Sequence, residues 1–123
     1  MINISVLLPA FNESENLKKL IPSIFKNLKK NKKINSFEII VINDSSTDGT
    51  EDLIKNLNKK NKYIKSINLK KNIGKAYGID YGIKYSRKKF NWICIIDADN
   101  QYNPIYINKI INFIKKDSFF INT

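Results

Sequence analysis

The chain has 123 residues, enough for one domain and too few for two, since a single core commonly serves about 100 to 200 residues. Apolar types make up 42% and charged types 27% of it, a globular balance that excludes a disordered tail. Twenty-two basic against eleven acidic residues leave a net charge of +11, and one cysteine with no histidine excludes an internal disulfide, a His-anchored zinc site and a Ser-His-Asp triad.

The apolar pattern alternates between strand and helix spacing along the chain. Ile4 to Leu8 is an apolar run broken only by Ser5 and bounded by Pro9, which predicts a buried strand. Asn12 or Ser14 is placed to cap a helix carrying Leu17, Leu20, Ile21, Ile24, Phe25 and Leu28 on one face. Lys29 to Asn35 reads as a basic exit loop, and Phe37 to Ile42 as a second strand ending at Asn43 and Asp44. Thr47 or Asp48 then caps a helix with Leu53, Ile54 and Leu57.

Tyr63 to Leu69 alternates as a weaker third strand, and Gly74 opens a third helix to about Lys88. Gly74, Gly78 and Gly82 recur every four residues, so they share a helical face that can approach the sheet closely. Trp92 to Ile96 is the most hydrophobic strand, and it places Cys94 as an inert small hydrophobe. Pro104 suits a first helical position, Ile107, Ile110, Ile111 and Ile114 form one apolar face, and Ser118 to Thr123 resembles half a fifth strand. Four strand-helix units in series predict an α/β fold, a mostly parallel sheet with helices on both faces.

The charge raises nucleic acid or an anionic membrane surface as partners. However, 23 Ile, 21 Lys and 18 Asn fill half the chain, and Arg87 is its one arginine, so specific nucleic-acid readout is not expected. No apolar run approaches the roughly 18 residues of a membrane span, and no small-residue cleavage site follows the apolar start. The expected location is cytoplasmic, in solution or peripheral on the membrane surface.

In an open parallel sheet, ligands gather beyond the carboxyl ends of the strands. Those ends carry acids here: Glu13 after the first strand, Asp44 and Asp48 after the second, Asp97 and Asp99 after the fourth. Two carboxylates one residue apart suit a hard cation such as magnesium or manganese, which could bridge a diphosphate leaving group. Capping of the next helix is the plain alternative for the same pair. Asp44 could accept from a base or ribose or could close an Asx-turn; Asp48 is expected to cap or begin the second helix. Phe11 could line a base pocket or staple the helix entry, and Gly74-Lys75 could attract phosphate at a helix start.

The strings VLLPAFNESENL (6–17), IIVINDSSTDGT (39–50), NIGKAYGIDYG (72–82) and WICIIDADNQYNP (92–104) resemble, in order and spacing, the nucleotide-binding half of family 2 glycosyltransferases. Within that family the dolichyl- and polyprenyl-phosphate sugar synthases, of the dolichyl-phosphate mannose synthase kind, are the most similar branch. The resemblance implies a Rossmann-like GT-A fold over residues 1–123, a nucleotide-sugar donor, Mg2+ or Mn2+, and inversion at the anomeric carbon. It implies nucleotide contacts at Pro9, Phe11, Glu13, Ile42, Asp44, Lys75, Asp97 and Ala98, and metal contacts at Asp97, Asp99 and Gln101. Asp44, Asp97 and Asp99 are thus expected to converge around one cation and its pyrophosphate.

The family pattern often has a second acid at Asn43, a glycine at Ser45 and an alanine at Gly78. Its members continue for about as many residues again, so the chain reads as a truncated domain whose catalytic base, if any, lies beyond residue 123. The expected acceptor is a polyprenyl phosphate at a membrane surface, with an oligomer or a partner chain left open. The alternative is a non-catalytic nucleotide-sugar-binding remnant. A phosphoacceptor receiver domain would need acids where Asn12 and Lys70-Lys71 stand.

Overall fold

The computed structural model describes residues 2–99, 103 and 105–113. Its elements run β1 (Ile2–Ala10), α1 (Ser14–Lys30), β2 (Ile34–Asn43), α2 (Thr50–Lys60), β3 (Ile64–Asn68), α3 (Lys75–Ser86), β4 (Trp92–Ile95) and α4 (Ile105–Phe113). The four strands form one sheet in the order β3-β2-β1-β4, and each pairing is parallel. The α/β expectation therefore holds. The half strand expected at 118–123 and the helix start at Pro104 lie outside the described residues.

The strand order dictates which face each helix covers. From β1 through β2 to β3 the chain moves one way across the sheet, and right-handed crossovers place α1 and α2 on the same face. The step from β3 back to β4 runs the other way, so the same handedness carries α3 to the opposite face. Packing agrees. Val6 and Leu8 of β1, Ile39 and Val41 of β2, Leu20 and Ile24 of α1, Ile54 of α2 and Ile107 of α4 share one core. Leu7, Ile40 and Ile42 point the other way, into a smaller core with Ile83 of α3.

Elements differ from the sequence reading mainly at their ends. β1 continues through Pro9, because the ladder to β4 stops at Leu7 and the missing amide of Pro9 falls beyond it. β2 starts at Ile34, so the basic loop shrinks to residues 31–33. Gly78 and Gly82 do face the sheet: a Cβ at Gly78 would lie 3.0 Å from Ile42 Cγ2, and one at Gly82 would lie 2.6 Å from Ile42 Cδ1. Gly74 does not share that role. It precedes α3 with φ +92° and has nothing within 4 Å of a built Cβ, so its backbone angle, not packing, favours glycine.

Cys94 is buried in β4, and burial pushes its thiol up to about 11, in keeping with an inert residue. At the amino end of the smaller core, buried Glu38 accepts from Ser5 Oγ at 3.1 Å, Ser5 meets Ser86 Oγ at 2.8 Å, and Lys65 Nζ lies 3.4 Å from the other Glu38 oxygen. This network ties α3 to the sheet at the end away from the carboxyl edge.

Candidate functional site

The connection from β1 leads to β2 on one side and the connection from β3 returns past β1 to β4 on the other, so the carboxyl ends of β1 and β4 bound an open crevice. A cavity of about 390 Å³ occupies it. Pro9, Ala10, Phe11 and Glu13 line it from β1 and the following loop, Ile42 and Asp44 from the end of β2 and just past it, Asn72, Gly74, Lys75 and Gly78 from the loop before α3 and its first turn, and Asp97, Ala98 and Asp99 from the segment after β4. Nine of the ten residues expected at the site from sequence thus meet around one space. The tenth, Gln101, lies outside the described residues.

Asp44 is 8% exposed, and its two carboxylate oxygens accept the Ile73 amide at 2.9 Å and the Gly74 amide at 3.1 Å. Its own amide donates to Ala10 O at 2.9 Å, extending the β1–β2 pairing past the end of the strands. The carboxylate therefore fixes the loop that delivers α3, and with it Lys75, to the cavity. Lys75 Nζ makes an ion pair with Asp97 Oδ1 across the crevice. The three acids do line one cavity, but they are not equivalent there: Asp44 is engaged by loop amides and Asp97 by a lysine.

The rim is laced together by short polar side chains. Asn12 and Ser45 both adopt left-handed backbone, at φ 54° and 63°. Asparagine tolerates that conformation, whereas the serine sits where glycine is more usual. Asn12 accepts the Thr47 amide at 2.8 Å and donates its own amide to Ser46 Oγ at 3.0 Å. Asp48 accepts the Ser14 amide at 2.9 Å and the Thr50 amide at 3.1 Å. It serves the first turns of both α1 and α2, whereas the sequence alone points to Asp48 for α2 and to Asn12 or Ser14 for α1.

Desolvation is the largest single influence on Asp48 and raises its pKa, but the Thr50 hydroxyl and the Ser14 and Thr50 amides together outweigh it and hold the carboxyl below its ordinary value of 3.8. A depressed carboxylate stabilises the fold above its unfolded pKa, and that contribution is lost as pH falls through the lower folded value. Asp48→Asn is accordingly expected to make stability less steep with pH below about 4, read from urea midpoints across a pH series. An unchanged slope would remove Asp48 from the acid response.

Among the described residues no three His, Cys, Asp or Glu side chains group as a metal cage. That donor set does not suit a structural ion. It does suit a magnesium or manganese ion brought with a diphosphate, which takes one or two protein carboxylates and fills its remaining positions with phosphate oxygens and water. Asp97 and Asp99 both line the cavity and can supply those carboxylates.

Ala10 and Asn72 line the cavity without having been expected there, and Gly78, expected only to pack, lines it too. Asn72 is legible as the start of the Asn-Ile-Gly-Lys string before α3. Ala10 carries no chemical signal beyond its place at the end of β1.

Crevice, parallel sheet and acid-bearing strand ends together define a Rossmann-like domain of the GT-A kind. The family model "Glycosyl transferase family 2" matches residues 5–121, and the chain belongs to that family. An uncharacterised glycosyltransferase of Synechocystis sp. is 33% identical over 111 residues, covering 90% of this chain and 34% of the relative. Among solved structures, the mannosyltransferase PcManGT of Pyrobaculum calidifontis, in complex with GDP-Man and Mn2+, superposes with a TM-score of 0.73 at 17% identity, over 93% of this chain and 32% of that one. S. aureus TarS in complex with UDP-GlcNAc gives 0.71 at 23% identity, over 91% of this chain and 31% of that one. These superpositions show the shared fold. The chain spans about a third of the length of these relatives. No described helix is long and apolar enough to cross a membrane.

Proposed function

We propose that this domain binds the nucleoside diphosphate of a sugar donor in the β1/β4 crevice, and that the protein transfers the sugar with inversion to a phosphate acceptor of the polyprenyl type. The reading is carried by the meeting of Asp44, Lys75, Asp97 and Asp99 around one cavity at the switch point of the sheet. The GDP-Man and Mn2+ of PcManGT and the UDP-GlcNAc of TarS support a nucleotide-sugar donor and a divalent ion in this fold.

In this reading Phe11, Pro9 and Ile42 form the apolar wall for base and ribose, and the remaining acceptor capacity of Asp44 takes a base N–H or a ribose hydroxyl. Asp97 and Asp99, with Gln101, hold magnesium or manganese, which when bound neutralises charge on the diphosphate as it leaves. Lys75 lies at the amino end of α3, where free amides and the helix dipole favour an anion, so its ammonium can turn from Asp97 to a phosphate oxygen. A phosphomonoester acceptor has a second pKa of about 6 and is an anionic nucleophile near neutral pH, so no side chain in this domain has to remove its proton.

Titration calorimetry of GDP and UDP, with and without Mn2+, tests the site. Binding is expected to require the metal and to weaken at least about 100-fold in Asp99→Ala, because a single carboxylate left for the ion forfeits most of the charge-assisted contact. Binding of equal strength without metal, or one indifferent to Asp99→Ala, would overturn the assignment.

A further inference from the structure

We propose that the outer face of α3 is a docking surface for an anionic lipid bilayer. Gly78, Gly82 and Ser86 turn inward on this helix and are buried. One position before each of them stands a tyrosine: Tyr77, Tyr81 and Tyr85 are 72%, 54% and 49% exposed. A spacing of four aligns the three rings along one side of the helix, over about 12 Å. Ile73, 42% exposed, stands in the loop that leads into the helix. Tyr77 and Tyr81 are mostly exposed, whereas Tyr85 is half covered beside Glu38 and Lys65.

Charge identifies the partner. Residues 70–89 hold seven basic side chains against Asp80 alone; Lys75 faces the crevice and pairs with Asp97, and Lys84 pairs with Asp80 at 3.0 Å, which leaves the exposed Lys70, Lys71, Arg87, Lys88 and Lys89 as the positive excess of this surface. Tyrosine is an amphipathic ring suited to the headgroup region, and each lysine near an anionic leaflet strengthens binding by about fivefold. Shape favours a plane over a strand. Among the described residues α3 is the one helix on its side of the sheet, so it stands out as a ridge, whereas single-stranded nucleic acid is held in a basic groove floored by aromatic rings.

The placement also has a geometric consequence. Gly74 and Lys75 at the start of α3 line the crevice, so a bilayer resting on the ridge lies about one helix diameter, roughly 10 Å, from the donor cavity. The docking does not depend on nucleotide binding, and its test contains no nucleotide.

Co-sedimentation with phosphatidylcholine vesicles, with and without about 30% phosphatidylglycerol, reads the interaction. The chain is expected to bind the anionic vesicles at least tenfold more tightly than the neutral ones. Tyr77→Ser/Tyr81→Ser/Tyr85→Ser, which keeps every charge, and Lys84→Glu/Lys88→Glu are each expected to lose at least tenfold. Should the triple variant not fold, Tyr77→Trp serves instead: its emission is expected to shift to the blue on adding anionic vesicles, relative to the parent whose tryptophan is Trp92. Equal binding to both vesicles, wild-type affinity in the triple tyrosine variant, or an unshifted emission from the Tyr77→Trp variant would overturn the proposal. So would a tyrosine-dependent dimer, or tyrosine-dependent binding of a single-stranded RNA probe, in the absence of vesicle binding.

Discussion

Asp44→Ala is expected to lower stability by about 2–3 kcal/mol, and to weaken donor binding by more than that stability loss accounts for. The carboxylate accepts two backbone amides from residues 73 and 74, and charge-assisted hydrogen bonds of this kind are worth about 1.5–3 kcal/mol each when buried. Ile73 is exposed and Gly74 half-buried, so water can recover part of what alanine removes, which sets the figure at the low end. The second effect comes from geometry. Those two amides hold the β3–α3 loop in the conformation that presents Gly74 and Lys75 to the cavity, with Gly74 at φ +92°. Once the loop is released, Lys75 is no longer poised beside Asp97. Thermal unfolding should fall by roughly 3–6 °C per kcal/mol for a domain of this size. Asp44→Asn keeps one acceptor and sets an amide NH2 against the other backbone N–H, so it should recover less than half of the loss. A variant as stable as the parent that binds GDP or UDP normally would show that the loop holds itself.

Much of this arrangement is readable from the residues because the signals are redundant. β1, β2 and β4 are each announced by a run of apolar residues and β3 by alternation alone, and the order of strand and helix leaves a parallel sheet as the consistent outcome. The cavity residues are legible for the same reason, since the carboxyl ends of parallel strands must share one edge. Contacts between loops distant in sequence are harder. Nothing local marks Asp48 as a partner of Ser14, 34 positions earlier, because the Thr-Asp-Gly-Thr string satisfies a local cap equally well. The engagement of Asp44 by residues 73 and 74 escapes for a similar reason. A carboxylate that faces a ligand and one that braces a loop look identical in sequence, and only the closeness of β2 to the start of α3 separates them. The Glu38 network is invisible too: a glutamate within a strand of isoleucines reads as a solvent-facing position until Ser86 and Lys65 are seen around it.

Gly82→Val is expected to cost about 3 kcal/mol, whereas Gly82→Ala should stay within about 1 kcal/mol of the parent. A Cβ at this position would lie 2.6 Å from Ile42 Cδ1 and 3.1 Å from Leu7 Cδ1. Both contacts are with the far ends of side chains, and both residues are fully buried, so Ile42 has to turn its Cδ1 away while Leu7 yields by a few tenths of an ångström. For alanine, that adjustment is offset by about 1 kcal/mol of helix propensity gained over glycine. Valine adds two more carbons in the same gap and a β-branch that restricts its rotamer on a helix, so neither neighbour can clear space for it. The consequence extends to the crevice. Ile42 lines the cavity and also packs beneath Gly78, so lifting α3 at Gly82 displaces the wall against which a base would rest. Urea unfolding of the two variants separates the terms. If valine costs no more than alanine, α3 is not pressed onto the sheet as described, and the close approach that brings Lys75 to the cavity has to arise from the Asp44 loop alone.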